Sequence, residues 1–201
     1  MCAVEHRYTA DDDADDGWAN FDSHNIAFWD TEQEQYVAYM RGWINPGFRS
    51  IRRSVSDDFI SWSEPTFINL GSTKLEHLYT NAATQYYRAR HIYMMFPMRF
   101  TPDRQFDTDW LHDGLSEAVF MTSRDGQLWS RRFMEAYIPP GPDQENWNER
   151  NMIVASGLRD SGAGSSASVI CCSTDWAPTI PDVNSTAHHT QRPLIAFSSQ
   201  P

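Results

Sequence analysis

A spaced repeat constrains this chain more than any other feature. Ser56, Asp58 and Trp62 in SVSDDFISW return as Ser123, Asp125 and Trp129 in TSRDGQLW, an offset of 123 − 56 = 67 residues. Self-similarity at such a period means that the chain is built from copies of one supersecondary unit. Asn25, Asn81 and Asn151 each open an apolar run, NIAFWD, NAATQYY and NMIVAS, at offsets of 81 − 25 = 56 and 151 − 81 = 70 residues. After the first two, a polar turn (TEQEQ, then RAR) leads to a second β-rich run, Tyr36 to Met40 and Ile92 to Phe96, ending near Arg41 and Arg99. Third runs, IRRSV from Ile51 and AVFMT from Ala118, then enter the Ser-x-Asp turn and its Trp. The order strand, turn, strand, loop, strand, turn, Trp occurs twice and begins a third time.

The turn has a physical rationale. An Asp or Ser side chain accepts hydrogen bonds from backbone N–H groups two residues on, and Gly126 takes a positive φ without strain. The Trp then covers the gap between neighbouring sheets with a large apolar area. These residues are expected to hold sheets together rather than to do chemistry. Antiparallel strands at even spacing are the cue for radial β architectures, so each copy reads as a propeller blade. Blades are expected at about 21–65 and 76–134, with the start of a third at 147–158, between an acidic segment at 1–20 and a tail at 160–201. A propeller needs at least four blades to remove its edges. The 201 residues therefore read as a partial copy.

Composition excludes several classes. A net charge of −11 argues against nucleic acid, whose phosphates demand a basic surface. No apolar run approaches the roughly 20 residues that span a bilayer, and MCAVEHRYTADDDADD lacks the basic-then-apolar pattern of an export signal. The expectation this leaves is a cytoplasmic or unknown location. Cys171 and Cys172 are adjacent and Cys2 stands alone, which reads as free thiols. No Cys or His spacing matches a zinc site, and no phosphate- or dinucleotide-binding motif is present, so neither metal nor cofactor is expected. From Asp160 to Pro201 only Asp160, Asp175, Asp182 and Arg192 are charged, and the blade pattern stops. That tail is expected to be mostly irregular, an appearance that a change of reading frame would produce.

The strings FDSHNIAFWD, YVAYMRGW, SVSDDFISWSEP, LYTNAATQYY, IYMMFPMRF, DGLSEAVFMTSRDGQLW and NMIVASGL resemble the central part of bacterial glycosyl-hydrolase-like proteins. Those belong to the five-bladed β-propeller superfamily that includes arabinanase-like and invertase-like glycosidases. The resemblance covers about Phe21 to Leu158. It implies an all-β fold, an incomplete five-bladed propeller of about two full blades and part of a third. It also implies a carbohydrate partner held in an axial funnel and, in the full-length family, cleavage by paired carboxylates.

Glycoside hydrolysis uses two carboxyl groups flanking the scissile bond. Asp22 lies three residues before Asn25, and Glu149 two before Asn151, so they hold quasi-equivalent positions in different blades. Asp22 is the first catalytic candidate, with Glu117 or Glu149 as its partner and Asp113 in reserve as a substrate-binding carboxylate. Glu76 lies in the loop before the second inner strand. Arg41 and Arg99 are read as closing equivalent strands, either to bind sugar hydroxyls or a substrate carboxylate, or to tie a strand end to its neighbour. His24, Asn25 and Asn81 are candidates to position ring hydroxyls, although asparagine recurring at strand starts also fits a structural turn. Trp43, Tyr79, Tyr86 and Trp147 are available for stacking. Two classes remain: a glycoside hydrolase-like enzyme, and a non-catalytic carbohydrate-binding propeller or inactive fragment. With blades missing, little hydrolase activity and some self-association through open edges are expected.

Overall fold

The computed structural model describes residues 24–44, 47–104, 114–140, 152–160 and 167–172. Every regular element among them is a strand. In chain order these are β1 (Ile26–Asp30), β2 (Gln35–Ile44), β3 (Phe48–Ser56), β4 (Thr66–Phe67), β5 (His77–Leu78), β6 (Thr84–Gln85) and β7 (Tyr93–Met95). β8 (Met98–Thr101), β9 (Leu115–Ala118), β10 (Met121–Ser123), β11 (Trp129–Ser130), β12 (Ile153–Asp160) and β13 (Ala167–Cys172) follow.

The first sheet is an antiparallel meander, β1-β2-β3-β4. Its first turn closes on Asp30, whose Oδ1 accepts from the backbone N–H groups of Glu32 (2.9 Å) and Gln33 (3.1 Å). The second sheet repeats the plan in the order β6-β7-β10-β11. β8 and β9 prolong its central hairpin and join β5 in a three-stranded sheet, β5-β8-β9. The hairpin breaks at Pro97, which has no N–H for the ladder, while the Pro97 carbonyl still accepts from Val119 N (2.9 Å). Adding 67 to β3, 48–56, gives 115–123, the span from the start of β9 to the end of β10. The sequence repeat is thus a structural repeat, straight in one copy and bent in the other.

The two Ser-x-Asp turns share the bonds to their aspartates and indoles. Asp58 Oδ1 accepts from Ile60 N (2.8 Å) and Ser61 N (2.6 Å), and Asp125 Oδ1 from Gln127 N (2.8 Å) and Leu128 N (2.7 Å). Each Trp indole donates to the carbonyl three residues back, Trp62 to Phe59 (3.2 Å) and Trp129 to Gly126 (3.0 Å). Both indoles are buried. Trp129 packs edge-on to Tyr39 of the first sheet, with centroids 5.8 Å apart, inside a core that includes Val37, Ile51, Tyr93, Met95 and Met121. Trp62 packs on Ala38 and Met40 instead. Between the sheets, Tyr39 donates to the Gly126 carbonyl (2.7 Å) and Tyr93 to Asp30 (2.7 Å).

Within the tail, Ala167–Cys172 forms β13 and pairs with β12, its run of ASVICC being apolar and β-prone. Two expectations need correction. Neither Arg41 nor Arg99 closes a strand, since β2 continues to Ile44 and β8 to Thr101. Glu117 lies inside β9, opposite Arg99, rather than before the strand.

Candidate functional site

The β2–β3 hairpin places two arginines and an aromatic on one face. Trp43 and Arg49 are direct cross-strand partners, and Arg41, two residues before Trp43, is their diagonal neighbour. Tyr79, which follows β5, completes the group. The Arg41 guanidinium carbon lies 4.9 Å from the Trp43 ring centroid and 5.0 Å from that of Tyr79. For Arg49 the distances are 4.8 and 5.2 Å, with Phe100 at 5.4 Å. Two cations therefore share the faces of the same two rings, an arrangement that attracts each guanidinium through the ring quadrupole. Arg41 is buried, whereas Trp43, Arg49 and Tyr79 are only partly so.

His77 borders this group. Its Nδ1 accepts from the Arg49 backbone N–H (3.3 Å), so the neutral ring carries its proton on Nε2. The imidazole stacks on Phe48, with centroids 4.6 Å apart, and meets Phe100 edge-on. Burial, followed by the Arg49 charge, lowers its pKa below the ordinary 6.5.

A second cluster lies on the other side of β5. Glu76 Oε1 accepts from Arg99 (2.6 Å) and its Oε2 from Arg131 Nε (3.1 Å). Arg99 also binds Glu117 Oε1 through Nε (2.9 Å) and a terminal nitrogen, while Glu117 Oε2 lies 3.6 Å from Arg104. Arg99 and Arg131 both donate to the Met134 carbonyl, at 2.8 and 3.2 Å. Burial would lower the Arg99 guanidinium, but its bonds to Glu76 and Glu117 outweigh it and hold the pKa above the ordinary value. Arg131 is lowered, chiefly by burial. With Glu117 2% exposed and both its oxygens engaged, this cluster reads as a tie between strands.

The expected site residues therefore separate. Asp22, Asp113, Glu149 and Trp147 lie outside the described residues. Arg41, Trp43 and Tyr79 come together. Arg99 and Glu117 come together as an ion pair. Asn81 is buried, donating to the carbonyls of His24 (2.8 Å) and Tyr39 (3.4 Å) and accepting from Ala83 N (3.1 Å), so it knits β1 and β2 to the second sheet. Asn25 Oδ1 accepts from Arg41 N (3.3 Å), and His24 Nε2 meets Ser156 of β12 at 2.9 Å. Burial lowers the His24 pKa. Tyr86 packs edge-on to Tyr87. Among the described residues no three metal-ligating side chains converge. An open groove of about 650 Å³ shares only Arg131 with these clusters, and its one aromatic, Trp129, is buried.

Sequence reasoning missed Arg49, His77 and Arg131. For Arg49 a signal was available: Asn45, Pro46 and Gly47 are turn-forming residue types, and a hairpin centred on them puts Arg49 opposite Trp43. His77 and Arg131 carry none, because their partners lie on strands remote in sequence.

No protein-family model matches the chain, and no curated protein matches it in sequence. Among solved structures, an N-acetylgalactosamine deacetylase from F. plautii, in complex with blood group B trisaccharide, is similar at a TM-score of 0.55 and 15% identity. The match covers 75% of this chain and 40% of that protein, so the chain spans less than half its length. At this identity the likeness is one of fold.

Proposed function

We propose that the chain is part of a propeller-type carbohydrate-binding protein that holds a saccharide at the Arg41, Trp43, Arg49 and Tyr79 cluster. The observation that carries this reading is the convergence of two guanidiniums on two partly buried rings. Aromatic faces take the C–H face of a sugar ring, and guanidinium forks donate to its hydroxyls. The repeated meander supports the propeller part of the reading, and the fold neighbour's bound trisaccharide supports the choice of ligand.

Recognition is placed first because the described residues supply a binding cluster and their buried carboxylates are engaged. Asp30 and Glu117, buried among the described residues, are both committed to protein donors. The hydrolase reading keeps Asp22 with Glu149 as its acid and base or nucleophile, and Asp113 as a sugar contact. A panel of immobilised glycans probed with the whole chain tests binding: Trp43→Ala and Tyr79→Ala each weaken retention about tenfold. Retention unchanged by both substitutions would remove the site. Turnover of aryl-glycosides or arabinan that Asp22→Asn abolishes would instead establish the hydrolase.

A further inference from the structure

Arg49 is charged without being neutralised. Glu76 supplies a carboxylate to both Arg99 and Arg131, and Glu117 to Arg99. Arg49 has no ion pair among the described residues. Its Nε and the Trp43 Nε1 are buried donors with no hydrogen-bond partner among them. A buried donor left without a partner costs its desolvation, so folded proteins retain few unless a ligand completes them. The Arg41 guanidinium stacks on the same two rings. Burial, and after it the Arg49 charge, lowers the His77 pKa beside this group.

We infer that this site selects an acidic saccharide, one whose sugar ring carries a carboxylate that is received by Arg49 while the ring packs on Trp43 or Tyr79. A planar guanidinium matches a carboxylate through two parallel N–H···O bonds, and a stem stacked on aromatic rings holds the fork in place. A neutral sugar leaves the charge at Arg49 unmatched. This inference rests on the proposed carbohydrate-binding role and narrows it to one ligand class.

The test titrates the whole chain calorimetrically with oligogalacturonides, with neutral galacto-oligosaccharides of the same length, and with sulfated galacto-oligosaccharides. The expected result is about tenfold or greater preference for the carboxylated over the neutral series, declining as salt is raised. Arg49→Gln then brings the carboxylated-to-neutral affinity ratio down to about one, and Arg49→Lys retains part of that ratio. The wild-type ratio and its salt dependence need no variant, and circular dichroism checks that each variant folds. Equal binding of carboxylated and neutral series would overturn the acidic assignment and leave the carbohydrate reading standing. Binding of the sulfated series alone would overturn the carboxylate. Failure of all three series to bind would remove both readings.

Discussion

Phe59 and Gly126 occupy the same place in two copies of one turn, and both have left-handed backbone, φ 63° and 73°. Glycine takes that conformation freely, whereas a side chain pays roughly 1 kcal/mol or more. Phe59 compensates through edge-on contacts with Tyr36 and Trp62, at 5.0 and 5.4 Å. At Gly126 no such compensation is open, because a Cβ would stand 2.7 Å from the Tyr39 hydroxyl oxygen. Gly126→Ala is expected to cost about 2 kcal/mol in urea unfolding, and Phe59→Gly to change stability by less than about 1 kcal/mol. A Gly126→Ala variant as stable as the parent would refute the shared strain.

The carboxylate of Glu76 separates two guanidiniums that would otherwise face each other. Replacing it by the neutral amide in Glu76→Gln is expected to cost about 2–4 kcal/mol, somewhat under the range for fully buried pairs since Glu76 keeps 13% exposure. The exposed Glu64→Gln should stay within about 0.5 kcal/mol. Equal thermal midpoints for the two variants would show that the cluster contributes nothing to stability.

Tyr93 ties its hydroxyl to Asp30 in the first sheet. Burial, then the bond to Asp30, pushes the phenol up to about 12 from an ordinary 10.0. A raised pKa means that the folded state favours the protonated phenol. The stability this supplies is complete below pH 10.0 and lost as pH rises toward about 12. Burial raises Tyr39 as well, so phenolate absorbance should show at least two late tyrosines, and Asp30→Ala should shift Tyr93 down and cost about 2–4 kcal/mol. A Tyr93 that titrates at its ordinary value would contradict this.

His77 and His24 work in the opposite sense. Burial lowers both below 6.5, with the Arg49 charge adding to the effect at His77. The folded state disfavours their protonation, so stability is complete above pH 6.5 and falls as pH drops from there through the lowered values. Proton NMR titration should place both imidazoles below 6.5, and the acid-side loss of thermal stability should be smaller in His77→Gln. An identical acid profile for that variant would count against His77 as a contributor.

How much of this was legible beforehand depends on the range of the interaction. The Ser56 and Ser123 turns were readable because their bonds stay within three residues, so local sequence contains both partners. Arg41, Trp43 and Tyr79 were visible singly as candidates. Their meeting was not, since it requires the register of β2 on β3 and the seating of β5 beside β3. The assignment of Arg99 between sugar binding and strand tying was open in the sequence and depends on Glu76, 23 residues away.

By itself the sequence determined the repeat, the antiparallel strands and the capped turns, all of which follow from short-range periodicity and hydrogen bonding. Only the tertiary structure decided that one copy of the hairpin bends at Pro97, and that the tail supplies a strand. It also decided which arginines meet carboxylates and which meet aromatic rings. The reason is physical: ion pairing and ring stacking depend on distances of a few ångströms between residues far apart along the chain. Those distances exist only once the sheets have packed.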